Sequence, residues 1–230
     1  MSQLLQLNLA LFQELNVHAG TFPILDALMI FCANWLIYCW PLFLLLVWGR
    51  PLSWRRHTLQ PGEVAMIQQR RAVVIWVGLA CILAYLLNLS FEHFIFEPRP
   101  FVNHHIHLLL AHPADASFPS DHTAWSFAVV GMLFFLLFPP VVSHWRRRDQ
   151  GMQNSGSAAL IVPGCLLVGA IVVASLIGLA RVYVGLHYPV DIVGGAIDGF
   201  VAALVITVLC RLFSQPTREV LRFAQALRVA

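Results

Sequence analysis

The sequence of 230 residues contains no lysine, so all fourteen of its Lys and Arg positions are arginines. Charged residues make up only 11% of the chain, whereas hydrophobic residues make up 59%. A chain so poor in charge is too apolar for an ordinary soluble domain, and it is long enough to cross a membrane several times. The net charge of +3 says little by itself, and nothing in the sequence indicates nucleic-acid binding. We therefore interpret residues 1–230 as one integral membrane domain.

Two further absences concern export and disulfide bonds. The first residues lack the basic region and the small-residue cleavage site of a secretory signal peptide, so we expect them to stay in the mature protein. The chain also lacks a CxxC pair, and its five cysteines all fall inside apolar runs. We interpret them as small buried hydrophobic residues and expect no disulfide framework.

Long apolar segments separated by polar connections predict an all-α fold, a polytopic membrane bundle of about five transmembrane helices. Residues 2–19 have the pattern of an amphipathic helix that lies on the membrane surface, which would give a core of six helices. Residues 214–230 are predicted to form a cytoplasmic tail. The transmembrane core covers residues 23–213, and its predicted spans are 23–48, 72–96, 120–138, 158–179 and 190–213.

The distribution of arginines predicts the orientation. Twelve of the fourteen lie in the connections 50–71 and 146–148 and in the tail from Arg211. With five spans these segments share one side, which the positive-inside rule makes cytoplasmic. Arg99 and Arg181 lie on the opposite side. We therefore expect a multi-pass protein of the bacterial inner membrane whose polar loops face the outside or periplasm.

One polar stretch between the last two spans contains ionisable side chains that are costly at membrane depth. Asp191 follows His187 by four residues, so its carboxylate can reach one imidazole nitrogen and leave the other free to attack or to accept a proton. Arg181, six residues before His187, adds a planar guanidinium suited to an oxyanion such as phosphate. Taken alone, the stretch is equally compatible with a polar belt at the membrane surface.

Two other motifs fall on the same predicted face. Arg99-Pro100 follows the second span, and Pro119-Ser120-Asp121-His122 precedes the third. Two guanidiniums, a hydroxyl and the N–H groups of a helix start can hold a tetrahedral anion. The two histidines can share a phosphoryl transfer without a metal, because one can attack phosphorus while the other gives a proton to the departing oxygen.

The order Arg-Pro, Pro-Ser-x-His and Arg-x5-His-x3-Asp resembles the three signature motifs of the type 2 phosphatidic acid phosphatase (PAP2) superfamily, over residues 20–213. Within it, residues 96–102 and 114–123 look like the bacterial undecaprenyl-diphosphate phosphatases of the bacitracin-resistance type. The resemblance implies hydrolysis of undecaprenyl diphosphate to the monophosphate through a phosphohistidine. Such an enzyme recycles the lipid carrier of cell-wall synthesis and confers bacitracin resistance. The resemblance implies no metal and no other cofactor.

The same resemblance implies a role for each matching residue. His187 matches the nucleophile, Asp191 matches its orienting partner, and His122 matches the acid that protonates the leaving group. Glu92 stands where the superfamily usually has a lysine, so part of the usual positive charge around the phosphate is missing. The residues that match substrate-binding positions are Arg99, Pro100, Ser120, Asp121 and Arg181.

Several alternatives stay open on the sequence alone. Asn88 and Glu92 lie one helical turn apart, so they either face the site, where Glu92 could pair with an arginine, or close a helix interface. A phosphatase for phosphatidic acid or phosphatidylglycerophosphate is the main rival to the polyprenyl diphosphate substrate, and a proton-coupled transporter is the alternative of a different class. Membrane lipids are expected partners, and a homo-oligomer is left open. The loop histidines lack a zinc-site spacing, so we expect a solvated loop and no metal site at His104, His105, His107 and His112.

Overall fold

The computed structural model describes residues 3–49, 61–137 and 158–212. The arginines at 50, 55, 56 and 146–148 and the predicted tail 214–230 lie outside the described residues. Within the described ranges the chain forms helices and no β-strand, which confirms the predicted all-α fold. The elements are α1 Gln3–Asn16, α2 Pro23–Asn34, a 3-10 turn Leu36–Tyr38, α3 Cys39–Trp48, α4 Pro61–Phe94, α5 Pro100–Asn103, α6 Asp121–Leu137, α7 Ala158–Tyr183 and α8 Pro189–Leu212.

The long helices correspond to the predicted spans. Within the described ranges, three segments are long and apolar enough to cross a membrane, Met66–Phe94 in α4, Gly164–Tyr183 in α7 and Pro189–Cys210 in α8. Helices α2 and α3 pass the same test together, across a bend of 45°, and make a fourth crossing if they count as one span. Helix α6 is also apolar, but its 17 described residues, at about 1.5 Å each, are shorter than a hydrocarbon core about 30 Å thick. The chain is a multi-pass membrane protein.

The first predicted span is broken. The uninterrupted helix expected over residues 23–48 ends at Asn34 and restarts at Cys39. Pro41 supplies the physical reason, because proline lacks an N–H and its ring clashes with the carbonyl four residues earlier in a continuous helix. In the structure Pro41 lies in the first turn of α3, where a proline is tolerated.

Two other predicted boundaries also differ from the structure. Helix α4 begins at Pro61, whereas the sequence predicted a polar connection up to residue 71. A proline is accommodated in the first turn of a helix, and Met66, Gln68 and the residues around them are good helix formers. Helix α7 continues to Tyr183, so Arg181 lies in the last helical turn and not in the following loop. A cation is favourable there because the carbonyl end of a helix carries partial negative charge.

Helices α6 and α8 make the most extensive contact of the bundle. Gly195 and Gly199, four residues apart on α8, allow the two backbones to approach closely. A Cβ at Gly199 would lie 2.1 Å from the carbonyl oxygen of Ala124, and one at Gly195 would lie 2.5 Å from that of Ser120. The absence of side chains at these two positions therefore brings the start of α6 against the first turns of α8.

The ends of the helices divide the loops between two sides. At one side lie the start of α2, the end of α4, the start of α6, the end of α7 and the start of α8. This side, which we call the loop side, therefore carries the segments 17–22, 95–120 and 184–188. All three sequence motifs with arginine or histidine belong to these segments or to the helical turns next to them.

Helix α1 is joined to the loop side by long-range hydrogen bonds. Asn16 is buried, and its amide nitrogen donates to the carbonyls of His107 and Tyr183 at 2.8 and 3.0 Å. Its amide oxygen accepts the N–H of His107 at 2.9 Å. Asn8 accepts the N–H of Val190, in the first turn of α8, at 3.0 Å. Helix α1 also exposes four leucines, Leu4, Leu5, Leu7 and Leu11.

Candidate active site

His187 lies in the short turn that joins α7 to α8. Gly185 in this turn has a φ of 89°, a left-handed conformation that residues with a side chain rarely adopt. A Cβ there would also lie 2.7 Å from Ile106 Cδ1. The N–H of Leu186 donates to the carbonyl of Arg181 at 3.1 Å and closes the turn. The turn directs His187 into the protein, where it is only 2% exposed.

The hydrogen bonds of His187 determine its tautomer. Nδ1 lies 2.9 Å from the carbonyl oxygen of Ser117, which can only accept, so Nδ1 carries the proton. Nε2 lies 3.1 Å from Arg99 Nη1 and 3.2 Å from Arg181 Nη2, and its lone pair accepts from both. Burial lowers the pKa of His187 well below its usual value, and the charges of Arg181 and Arg99 lower it further. The imidazole is therefore neutral at pH 7, with an unprotonated nitrogen between two guanidiniums.

Asp191 is fully buried at the start of α8 and lies close to the imidazole, as its spacing from His187 predicts. Its Oδ2 is 3.5 Å from His187 Nδ1, an ion-pair distance that is too long for a good hydrogen bond. The same oxygen accepts the hydroxyl proton of Ser117 and, at 2.8 Å, the N–H of Tyr188. The hydrogen bond that determines the tautomer is thus the one that His187 donates to the carbonyl of Ser117, a residue that the motifs did not single out.

The two arginines approach the imidazole from different elements. Arg99 directly precedes Pro100, the buried first residue of α5, and donates from Nη1 to the carbonyl of Leu186 at 3.0 Å. Its Nε pairs with Asp115. Arg181 comes from α7 and is 4% exposed, and its Nε has no hydrogen-bond partner among the described residues. Because a buried donor without an acceptor costs about 1–3 kcal/mol, an anion bound to Arg181 would recover part of that cost.

The second motif begins α6. Ser120 is buried, and its N–H donates to the carbonyl of Asp191 at 3.2 Å, which joins the second motif to the third. His122 is partly exposed in the first turn of α6 and lies within electrostatic reach of Arg181 and His187. The N-terminus of a helix presents free N–H groups and partial positive charge, which favour an anion.

Asn88 and Glu92 near the end of α4 have different surroundings. Asn88 is fully buried, and its amide nitrogen donates to Asp121 Oδ1 at 2.8 Å. Glu92 is partly exposed and lies within electrostatic reach of Asp121 and Arg99. Among the described residues Glu92 forms no ion pair with an arginine. Asn88 therefore closes the interface between α4 and α6, and Glu92 lies at the edge of the site.

Two residues of the site were missed in the sequence, Asp115 and Ser117. Asp115 pairs with Arg99, and His112 Nδ1 lies 3.6 Å from the same carboxylate oxygen. Burial raises the pKa of Asp115, but the hydrogen bond and charge of Arg99 outweigh it and hold that pKa below its usual value. Ser117 is fully buried beside the imidazole. The signal that could have found them is their position a few residues before the second motif. Their spacing in the sequence does not predict which side chain either residue contacts.

The histidine-rich loop gives no metal centre in the part of the chain that the structure describes, where no three His, Cys, Asp or Glu side chains lie close enough to hold an ion. His105 and His107 are exposed, and His107 binds Asn16 through its backbone. His112 approaches the site through Asp115. The expectation that the reaction needs no metal stays a prediction.

The arrangement is suited to one kind of chemistry. It combines an unprotonated imidazole nitrogen, two buried guanidiniums beside it and a second imidazole at a helix N-terminus. Guanidiniums and helix N–H groups bind the oxygens of a tetrahedral anion, and an imidazole can attack its central atom. The three sequence motifs, which are far apart in the chain, are thus brought together, and their side chains are of the kinds that bind phosphate.

Comparison with known proteins agrees with this geometry. The pattern of the PAP2 superfamily matches residues 73–213. The chain is 33% identical to undecaprenyl-diphosphatase BcrC of Bacillus subtilis, over 92% of this chain and 86% of that protein. LpxE of Aquifex aeolicus has a TM-score of 0.55 at 24% identity, and the match covers 87% of this chain and 94% of that chain. A PAP2-type phosphatidylglycerolphosphate phosphatase of Bacillus subtilis has a TM-score of 0.61 at 18% identity, over 94% and 90%. The resemblance seen in the three motifs is confirmed, and the chain belongs to the PAP2 superfamily as a membrane phosphatase.

Proposed function

We propose that this phosphatase removes the terminal phosphate of undecaprenyl diphosphate at the outer face of the bacterial inner membrane. The products are undecaprenyl monophosphate and inorganic phosphate. The observation that carries the chemistry is the buried Nε2 of His187, unprotonated and lying 3.1 and 3.2 Å from the guanidiniums of Arg99 and Arg181. The choice of lipid is supported by the 33% identity to a protein named undecaprenyl-diphosphatase, over 92% of this chain.

The first step transfers the phosphoryl group to the enzyme. Nε2 of His187 attacks the terminal phosphorus, a P–N bond forms, and the bond from that phosphorus to the bridging oxygen breaks. The bridging oxygen leaves with the electron pair on undecaprenyl monophosphate and takes a proton from His122. Arg99 and Arg181 hold the other phosphoryl oxygens, and their charge offsets the charge that develops there.

The second step releases phosphate from the enzyme. His122, now unprotonated, takes a proton from a water molecule as that water attacks the phosphohistidine. The P–N bond breaks, its electron pair returns to Nε2 of His187, and inorganic phosphate leaves. The neutral imidazole is restored because Nδ1 keeps its proton throughout and donates it in a hydrogen bond to the carbonyl of Ser117.

The position of the site on the loop side suits a lipid that carries its phosphates at the membrane surface. The ends of α4 and α7 and the starts of α6 and α8 surround the site, and large apolar side chains are exposed along these helices. A long isoprenoid tail can lie against them while the diphosphate reaches the arginines. The arginine distribution of the sequence supports an outward orientation. Such an enzyme would recycle the lipid carrier and confer bacitracin resistance.

Phosphate release from detergent-solubilised protein tests both the substrate and the residues. We expect turnover of undecaprenyl diphosphate to exceed that of phosphatidic acid. His187→Ala should abolish turnover together with any acid-labile phosphoenzyme, and His122→Ala should slow the first step by roughly 10²–10⁴. His105→Ala is the matched control, because His105 is exposed in the loop, and it should keep wild-type activity.

The outcomes separate the parts of the proposal. If the wild-type protein hydrolyses phosphatidic acid and leaves undecaprenyl diphosphate intact, the choice of lipid is wrong and the phosphatase mechanism stands. If His187→Ala retains wild-type turnover, the assignment of the nucleophile is wrong. The loss caused by His122→Ala should shrink for a nitrophenyl phosphate, because that leaving group needs no proton.

A further inference from the structure

Ser117 lies in the loop between α5 and α6 and is fully buried. Each of its polar groups contacts a different part of the site. Its N–H donates to the carbonyl of Glu97 at 2.7 Å, its hydroxyl donates to Asp191 Oδ2, and its carbonyl accepts the Nδ1 proton of His187 at 2.9 Å. Removing any one of these bonds would leave a buried polar group unpaired.

We propose that Ser117 is a positioning residue of this phosphatase and that Asp191 acts on His187 through it. The proposal rests on the proposed function in one respect, namely that Nε2 of His187 attacks phosphorus. It does not depend on which phosphate lipid is the substrate.

The carbonyl of Ser117 determines which nitrogen of the imidazole can attack. A carbonyl can only accept, so the proton is held on Nδ1 and the lone pair stays on Nε2, facing the guanidiniums of Arg99 and Arg181. If this carbonyl turned away, the proton could move to Nε2, and the nucleophilic lone pair would then lie on the wrong side of the ring. The same hydrogen bond persists in the phosphohistidine, because attack through Nε2 leaves the Nδ1 proton in place.

The hydroxyl of Ser117 keeps that carbonyl in position through Asp191. The carboxylate oxygen that accepts the hydroxyl also accepts the N–H of Tyr188, the residue after His187, at 2.8 Å. Asp191 therefore holds the two chain segments on either side of the imidazole. Its oxygen lies 3.5 Å from His187 Nδ1, so it also attracts the positive charge that the ring gains on attack.

The N–H of Ser117 belongs to a separate connection, to the first motif. Pro98 and Ala116 form an antiparallel bridge next to the bond between Ser117 and Glu97. This backbone pairing holds the segment that ends in Arg99. Replacing the side chain of Ser117 leaves the backbone bonds available, so Arg99 should keep its place and substrate affinity should change little.

The test compares Ser117→Ala and Ser117→Thr with wild type, using phosphate release in detergent micelles. Hydrogen bonds to charged groups are worth more than neutral ones, so Ser117→Ala should lower kcat by about 10- to 100-fold and change KM by less than about threefold. Ser117→Thr retains the hydroxyl and should recover most of kcat. Ser90→Ala is the matched control, because the hydroxyl of Ser90 is exposed and, among the residues that the structure describes, bonds only to the carbonyl of Leu86 in the same helix. It should behave as wild type.

A double substitution tests the route from Asp191. If Asp191 acts through the hydroxyl of Ser117, Ser117→Ala combined with Asp191→Asn should be about as slow as the slower single variant. Losses in kcat that multiply would show that the two residues act independently, and this result would overturn the proposal. Unchanged kcat in Ser117→Ala would overturn it as well.

The tautomer of His187 can be measured without any substitution at Ser117, which keeps the proposal testable if Ser117→Ala fails to fold. In ¹⁵N-histidine-labelled wild-type protein, with the His187 signals assigned by comparison with His187→Ala, the proton should be on Nδ1. A proton on Nε2 would overturn the proposal. The kinetic arms use both undecaprenyl diphosphate and phosphatidic acid. Suppose that the wild-type protein hydrolyses phosphatidic acid but not undecaprenyl diphosphate, and that Ser117→Ala lowers kcat on phosphatidic acid. This result would refute the choice of lipid and would still support the role of Ser117.

Discussion

Gly199→Ala is the substitution whose effect is best defined by the packing of the bundle. A Cβ at this position would lie 2.1 Å from the Ala124 carbonyl oxygen, 2.7 Å from the Ala128 nitrogen and 3.0 Å from the Ala124 carbonyl carbon. All three are backbone atoms of α6, so no side chain can rotate to make room. Helices α6 and α8 would have to separate by on the order of 1 Å to restore normal contact distances.

Two terms of opposite sign decide the change in stability. Alanine is a better helix former than glycine by about 0.8–1.0 kcal/mol, which favours the variant. Overpacking a close contact costs about 1–3 kcal/mol, and contacts with rigid backbone put this case at the upper end. We expect a net loss of about 2 kcal/mol, which for a chain of this size corresponds to a fall in Tm of roughly 4–8 °C. Activity should fall too, because Ala124 lies one turn after Ser120 in the site.

Thermal unfolding in detergent measures this effect, and a thiol-reactive fluorophore can report it because Cys32 is buried and unpaired. Gly169→Ala is the matched control, since a Cβ at Gly169 of α7 meets nothing within 4 Å. This variant should gain only the higher helix propensity of alanine over glycine, and its Tm should rise by about 2–4 °C. A Gly199→Ala protein that unfolds at or above the wild-type temperature would refute the close-packing explanation. An equal fall in Tm in Gly199→Ala and Gly169→Ala would refute it as well.

Three other predictions concern charge, metal and orientation. Arg181→Gln should raise the pKa of His187, because the positive charge that disfavours the imidazolium is removed, so the acid limb of the kcat/KM profile should move to higher pH. An acid limb that stays at the wild-type pH on the same substrate would contradict this. Phosphate release should survive EDTA, and loss that a divalent ion restores would show that a metal takes part. Topology reporters fused at position 110 should lie on the outer side of the membrane, and those fused at 60, 150 and 225 should lie on the cytoplasmic side. An externally active reporter at 60 or 150 would show that the predicted orientation is wrong.

Sequence reasoning pointed to the candidate site through residues whose chemistry is costly in a membrane. Arg181, His187 and Asp191 stood out because ionisable groups are rare in apolar surroundings, and their spacing within one short stretch predicted their proximity. The structure brings them together with Arg99, Ser120 and the start of α6. Hydropathy was informative about helices for a similar reason, since long apolar runs have few other ways to fold in lipid.

The parts that were missed depend on contacts between distant segments. Nothing in the sequence shows that the carbonyl of Ser117 accepts a hydrogen bond from His187, which lies 70 residues later in the chain. Every residue has a carbonyl, so the residue type gives no signal. The break at Leu36–Tyr38 was missed for a different reason. Pro41 lies within an apolar run, and a hydropathy average does not register that proline interrupts the helix before it.

The long-range bonds of α1 have a consequence for how the protein is made. Asn16 binds the carbonyls of residues 91 and 167 positions later in the chain, and Asn8 binds an N–H 182 positions later. Synthesis proceeds from the N-terminus, so α1 leaves the ribosome long before these partners exist. Although α1 is made before the other described helices, it must therefore be among the last to dock, after α8 has begun to enter the membrane. Until then the loop carrying His107 lacks its anchor, and a partly synthesised chain has no assembled site that could act on lipid.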